Sequence, residues 1–408
     1  MKDRKIKSLT MQAYEEGKGI FRLAPAWVPR SFLIPGGRLK LAPQDLYILG
    51  VERGGIDERW LASVTVADNG PGTPPDEGLS YIVVNGKKAL TLRDAIQVEG
   101  ELILGKEVMR KYGGWKILTK FFDNLGPIPY HLHQDKEHAK LVGREEKPEA
   151  YYFPPQLNFI QHNFPHTYFG LEPGTSRDDI KRCLRRWSQG DNGILDYARA
   201  YRIEPGTGWF IPSGILHAPG SLVTYEVQWA SDVAAIFQSM VEGRALSWDL
   251  LVKDVPPERR RDLDFIVDMI DWPANLDEHF KDNHYLEPVP VADTRDEGYE
   301  EKWIVYGTND LFSAKELTVF PGKSVRIKDN GAYGMIVIQG HGSVGKLPVE
   351  SPTMVRYGDL TYDELFVSFD AARNGVTFKN EGYENLVILK HFGPGENPDA
   401  PSIRAKRG

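Results

Sequence analysis

The feature that most constrains this chain is its punctuation. Apolar runs are short, and glycine, proline and aspartate break them before a long helix can form. Trp60-Leu61-Ala62-Ser63-Val64-Thr65-Val66 and Tyr81-Ile82-Val83-Val84 are such runs, with a Pro/Gly-rich stretch from Asn69 to Gly78 between them. The pattern recurs near the other end, at Glu316 to Phe320, Ser324 to Ile327, Met335 to Ile338, Gly375 to Phe378 and Leu386 to Leu389. Short apolar runs bounded by turn formers are strands, so a mainly β protein is expected.

With 408 residues the chain exceeds one ordinary domain. The economical division is two β modules joined by helices. The first covers residues 1–240 and carries a helical insertion at about 174–200. A helical connector and linker covers 241–300, and the second module 301–408. Residues 1–30 read as a peripheral arm. Thr91 to Val98 reads as a helix with Leu92, Ala95 and Ile96 on one face. Ser176, with Asp179 three residues on, has the spacing of a helix cap, and Ile180, Leu184 and Trp187 then line one side.

Charge excludes some functions. Acidic residues (57) exceed basic ones (50), for a net charge of −7, which argues against a nucleic-acid footprint or a polybasic membrane anchor. The single cysteine, Cys183, permits neither an internal disulfide nor a cysteine-based metal cluster. No signal-peptide pattern or membrane-spanning run is evident. The expectation is a cytoplasmic protein with a small-molecule partner and neither nucleic acid nor membrane, its oligomeric state open between monomer and homodimer.

The chemistry concentrates in two segments. Tyr130-His131-Leu132-His133 places two imidazoles two residues apart, which on a strand puts both on one face. Converging neutral imidazoles suit zinc, iron, cobalt, nickel or manganese. The second segment runs Gly206, five residues, Pro212, one, Gly214, two, His217. It reads as a strand, a Pro-x-Gly turn and a histidine facing back across a narrow barrel. This spacing resembles the second motif of the cupin superfamily, with Ser221 where an asparagine often ends it. An acid would complete the set. Glu137 has the spacing seen in small cupins, whereas Glu149 opens the aromatic run Ala150-Tyr151-Tyr152. A strand residue is held more firmly than a loop residue, which favours Glu149.

Much of residues 34–240 resembles the type I phosphomannose isomerases. Glu58-Arg59-Trp60 with Ser63 resembles that family's Glu-x-Trp strand, and Val84-Asn85-Gly86 with Leu90-Thr91-Leu92 its Asn-Gly and Thr-Leu stretch. Leu118 to Asp123 resembles its Lys-Phe-Leu-Asp strand. His131-Leu132-His133-Gln134-Asp135 resembles its Gln-Val-His-Pro-Asp, with His131 replacing a ligand glutamine. Lys147 to Tyr152, Pro205 to Ala218 and Glu226 to Asp232 resemble its remaining motifs. The resemblance implies two cupin modules, that is, jelly-roll β-barrels, with a helical insertion and a helical connector. The second would be metal-free, because His341 and His391 lack ligand partners. It implies one divalent ion, zinc foremost, on His131, His133, Glu149 and His217. It implies active-site roles for Glu58, Lys120, Lys147 and Glu226. Where the family has an arginine past the Ser-Asp pair, this chain has Ile236.

The expected function is metal-dependent aldose–ketose isomerisation of a sugar or sugar phosphate, like that of mannose-6-phosphate isomerase. Lys120 and Lys147 would serve as donors to a developing oxyanion or as a base, and Glu226 as the carboxylate. Two alternatives stand beside it: an Fe(II) cupin oxygenase, and a sugar-binding cupin without turnover, the reading that Ile236 supports. Arg177, Arg182, Arg185 and Arg186, clustered on or near the insertion, offer a guanidinium from another place in the chain, although an exposed helix face is the plainer reading.

Overall fold

The computed structural model describes residues 2–308 and 310–403. The chain is mainly β, as the punctuation predicts, and most strands lie in two barrels. In the first barrel, one wall has seven strands in the order Tyr285–Leu286, Gly208–Ile211, Glu149–Tyr152, Thr224–Trp229, Ile117–Phe122, Gly55–Leu61 and Ala26–Arg30. The facing wall has five: Ala198–Arg202, His166–Leu171, His217–Ala218, His131–Leu132 and Ala235–Ile236. Phe122 and Tyr151 from one wall pack with Phe169 from the other. In the second barrel a nine-stranded sheet, centred on Ser313–Val319, Leu386–Phe392 and Tyr333–Gln339, faces a four-stranded one.

Alternation along the five-stranded wall sets the site. Successive strand residues point to opposite faces, so Leu132 faces outward between His131 and His133. Outside, Leu132, Leu171 and Ala235 pack against Leu251, Val252 and Ile266, carried by helices Trp248–Val252 and Leu263–Asp268 or their flanks. Helix Arg177–Arg185 joins this layer through Ile180 and Leu184. It begins at the expected cap, where Ser176 and Asp179 form a reciprocal capping box.

Helix Leu92–Leu104 starts at Thr91, whose hydroxyl accepts from the Asp94 amide, and it buries Leu92, Ala95 and Ile96 as their spacing predicts. Residues 1–30 are not a peripheral arm. Helix Lys2–Gly17 leads into Ile20–Ala24, which pairs with Glu364–Val367 in the second barrel's sheet. Ala26–Arg30 then pairs with Gly55–Leu61 in the first. These two strands tie the barrels together, and both are almost wholly buried. One apolar core also crosses the junction, with Leu61, Phe121 and Tyr225 on one side and Val305, Phe366 and Leu389 on the other. Among the described residues no helix is long and apolar enough to cross a membrane.

Candidate metal centre

Three imidazoles meet inside the first barrel. His131 lies opposite His217 in antiparallel register, and His133 follows two residues on. Ring centroids are 4.2 Å apart for His131 and His217, 5.0 Å for His131 and His133, and 5.1 Å for His133 and His217. The three can offer nitrogen atoms within 4.8 Å of one another. Each Nδ1 lies against a backbone carbonyl: Pro129 at 2.7 Å, Val233 at 2.7 Å and Ile215 at 2.8 Å for His131, His133 and His217. A carbonyl can only accept, so each Nδ1 carries the proton and each Nε2 presents a lone pair.

Glu149 arrives from the opposite wall. Its Oε2 lies 3.0 Å from His133 Nε2 and its Oε1 lies 3.0 Å from His217 Nε2. Acceptors facing acceptors at that distance repel unless a cation is shared between them: the Lys147 ammonium, 2.9 Å from both His133 Nε2 and Glu149 Oε2, serves the first pair but not the second. Among the described residues, His217 Nε2 is buried with no hydrogen-bond partner. Neutral imidazoles and one carboxylate are the donor set that a divalent transition ion takes, so the residues present fit such an ion. Burial and the neighbouring imidazoles hold His131 well below the usual histidine range. Burial and the Lys147 ammonium hold His133 down at about 3. Burial alone would raise Glu149, but the charge on Lys147 foremost holds the carboxylate well below its ordinary value. Tyr151 donates to Glu149 from the same strand.

The turn before His217 is fixed by its glycine. Gly214 has φ +81°, and a Cβ there would sit 3.1 Å from the Asp271 Cβ. Its N–H donates to the His133 carbonyl at 2.7 Å, and its own carbonyl accepts from Asn275 at 2.8 Å. The turn therefore joins the His133 strand, the His217 strand and the connector helix Trp272–Asn275.

The centre opens into a cavity of about 700 Å³, lined also by Glu58, Lys120, Lys147 and Glu226. Lys147 Nζ is 2.9 Å from Glu149 and 3.5 Å from Glu226. Lys120 Nζ is 3.6 Å from Glu226 and 3.2 Å from Glu58. Burial would lower Lys120, but Glu226 and Glu58 hold it above its ordinary value. Burial would raise Glu58, but Arg30 and Lys120 bring it down to about 2. Burial and the Glu149 charge push Glu226 up to about 7 against both lysines.

Six of the eight residues singled out in the sequence line this cavity, and Glu149 and His217 are fully buried behind it, against His133. Glu137 does neither; it is exposed in the first turn of helix Lys136–Leu141. The arginines of the insertion lie outside the cavity as well, with Arg177 paired to Asp268 and Arg182 to Asp179. Ile236 is opposite His131 in the sheet and lines the cavity. The guanidinium deep in this cavity is Arg30, which the sequence reading passed over. It donates to Asn69 at 2.9 Å and Glu58 at 3.2 Å, and lies 3.7 Å from Asp232. The available signal was a charged residue ending the apolar run Ala26-Trp27-Val28-Pro29.

The chain matches no family profile, and no curated protein matches it in sequence. Solved structures do. Mannose 6-phosphate isomerase from Bacillus subtilis is similar with a TM-score of 0.58 and 17% identity, over 92% of this chain and 99% of the other. A zinc-bound mannose 6-phosphate isomerase gives 0.59 and 14%, over 92% and 100%. A phosphomannose isomerase variant from Salmonella typhimurium gives 0.58 and 13%, again over 92% and 100%. The fold is that of the type I phosphomannose isomerases. At these identities the likeness is one of architecture: the cupin-type barrels of the phosphomannose isomerase fold, carried by a divergent sequence.

Proposed function

We propose that the protein is a metal-dependent aldose–ketose isomerase, an intramolecular oxidoreductase acting on a sugar or sugar phosphate in the manner of mannose-6-phosphate isomerase. The observation that carries this reading is the arrangement of three Nε2-presenting imidazoles and Glu149 at the floor of a cavity that also holds Lys120, Lys147 and Glu226. His131, His133, Glu149 and His217 would hold one divalent ion, with zinc the first choice. Bound there, it supplies Lewis acidity to the sugar oxygens.

The remaining roles belong to the chain. Isomerisation moves a proton between C1 and C2. Glu226, held near neutrality by burial and Glu149, can both take and return a proton there. Lys120 and Lys147 remain donors to oxygens on which negative charge develops. Glu58, bonded to the Trp60 indole at 2.7 Å, positions Lys120. The charged lining disfavours an oxygenase for an apolar substrate. Ile236 favours a second reading, a sugar-binding protein without turnover.

The test is hydrogen exchange at C2 in deuterated water, with the zinc-loaded protein and mannose, fructose and their 6-phosphates. Exchange with at least one sugar is expected, falling by about 10²–10⁴-fold in Glu226→Gln while the zinc content holds. No exchange with any sugar sinks the isomerase, and sugar binding in its absence favours the second reading.

A further inference from the structure

We infer that the sugar taken by this cavity carries no phosphate or comparable dianionic group; the inference rests on the isomerase reading and narrows its substrate. A phosphate site needs cationic donors left free to face the phosphate. Among the described residues, six cationic side chains line this cavity, and each has a carboxylate partner within the protein. Deep inside, Arg30 lies on Glu58, Lys120 on Glu58 and Glu226, and Lys147 on Glu149 and Glu226. Toward the solvent, Arg53 grips both oxygens of Glu77, at 2.8 and 2.6 Å. Arg144 lies 3.2 Å from Asp68. Lys253 lies 3.0 Å from Asp254 and donates to the Asp232 carbonyl at 2.9 Å.

The balance has the wrong sign for a dianion. Seven carboxylates line the cavity with the six cations, and Glu149 at its floor adds an eighth. With Glu77, which holds Arg53 from outside the lining, the acids exceed the cations by more than the charge of one divalent ion, leaving no surplus to hold a phosphate. Beside the centre, binding one would require breaking buried ion pairs, which strands a carboxylate away from water; at the mouth it would have to compete with Asp68 for Arg144.

The wall beside the centre is a separate observation. Ile236, paired with His131 across the sheet, packs with Phe32 and Leu250, and all three line the cavity. That surface suits the C–H face of a sugar and offers a phosphate no donor.

Isothermal titration of the zinc-loaded protein with mannose, fructose and their 6-phosphates, near physiological ionic strength, tests this. Each neutral sugar is expected to bind more tightly than its 6-phosphate by about tenfold or more. A smaller margin, a reversed order or binding of none of them overturns the inference. Asp68→Asn, which frees Arg144 at the mouth, is expected to narrow the margin by tightening the 6-phosphates; an unchanged margin counts against the charge argument. Exchange at C2 keeps the two claims apart. Exchange confined to the phosphates leaves the isomerase standing and removes this inference, whereas tight binding of neutral sugars without exchange does the reverse.

Discussion

Each imidazole at the centre spends its Nδ1–H on a main-chain carbonyl, so the tautomer that presents Nε2 is set by the backbone before any ion arrives. His217→Ala removes one of these nitrogens while leaving the strand pairing, which is a main-chain matter. Zinc affinity is expected to fall by at least about 100-fold, beyond the loss typical of a supporting partner. Elemental analysis after gel filtration would show a folded protein largely stripped of metal; full occupancy would exclude His217 from the ligand set. A second residue-scale prediction concerns Glu364. It is fully buried beside Arg59 and Asp363 and accepts from the Ala62 amide at 3.0 Å. Burial raises its carboxyl from 4.5 to about 7. The folded chain therefore keeps this proton to a higher pH than the unfolded chain. The corresponding stability is complete below about pH 4.5 and is lost as pH rises through 7. Glu364→Gln keeps an acceptor for Ala62 and cannot titrate, so its Tm should fall less than that of the parent between pH 5 and pH 8. Parallel curves would refute the assignment.

At the scale of elements, the turn at Gly214 predicts how strongly the centre depends on its frame. Gly214→Ala places a Cβ in a left-handed conformation and against Asp271, 3.1 Å from its Cβ and 3.2 Å from its amide nitrogen. The left-handed backbone alone costs about 1–2 kcal/mol, and displacing Asp271 adds to it. Gly174, at φ +88° with open space around it, provides the comparison. Gly214→Ala should lower both denaturation midpoint and zinc affinity, and Gly174→Ala the midpoint alone; equal effects on zinc would separate the turn from the centre. This turn was legible in the sequence because its signal is local: a proline, a glycine and a histidine at fixed offsets. His131 and His133 were legible for the same reason, since a period of two needs only a strand. Ile20–Ala24 was not. Its place is set by pairing with Glu364–Val367, more than three hundred residues away, and nothing in five residues records that partner. Arg30 was lost with it, because a charged residue ending an assumed arm becomes a buried guanidinium only once Ala26–Arg30 docks on Gly55–Leu61.

Across the whole molecule the two barrels repeat one register with opposite outcomes. In the first, Trp60 lies opposite Lys120 and Lys120 opposite Glu226, with Glu58 two residues before the tryptophan. In the second, Trp303 lies opposite Lys315 and Lys315 opposite Lys390, with Glu301 two residues before the tryptophan. The second set closes on itself. Lys390 pairs with Asp329 at 2.8 Å and with Glu301, and Lys315 lies 2.9 Å from Asp329. The rings of Tyr333, Phe378 and Phe392 cover Lys390, and neither Lys390 nor Asp329 exposes any of its side chain. The first set borders a cavity instead, so when Lys120 is removed Glu58 keeps Arg30, Glu226 keeps Lys147, and water can reach both acids. Matched substitutions should therefore diverge. Lys390→Met leaves two buried acids on one lysine and is expected to cost about 3–5 kcal/mol, read by urea denaturation, with zinc content unchanged. Lys120→Met should cost less stability than Lys390→Met, because its acids border a cavity that water can enter, yet lower C2 exchange, because the group lost faces the substrate rather than the core. Equal losses of stability would mean that the two sets do the same structural work, and that the first barrel's charges hold its walls together rather than serve its cavity.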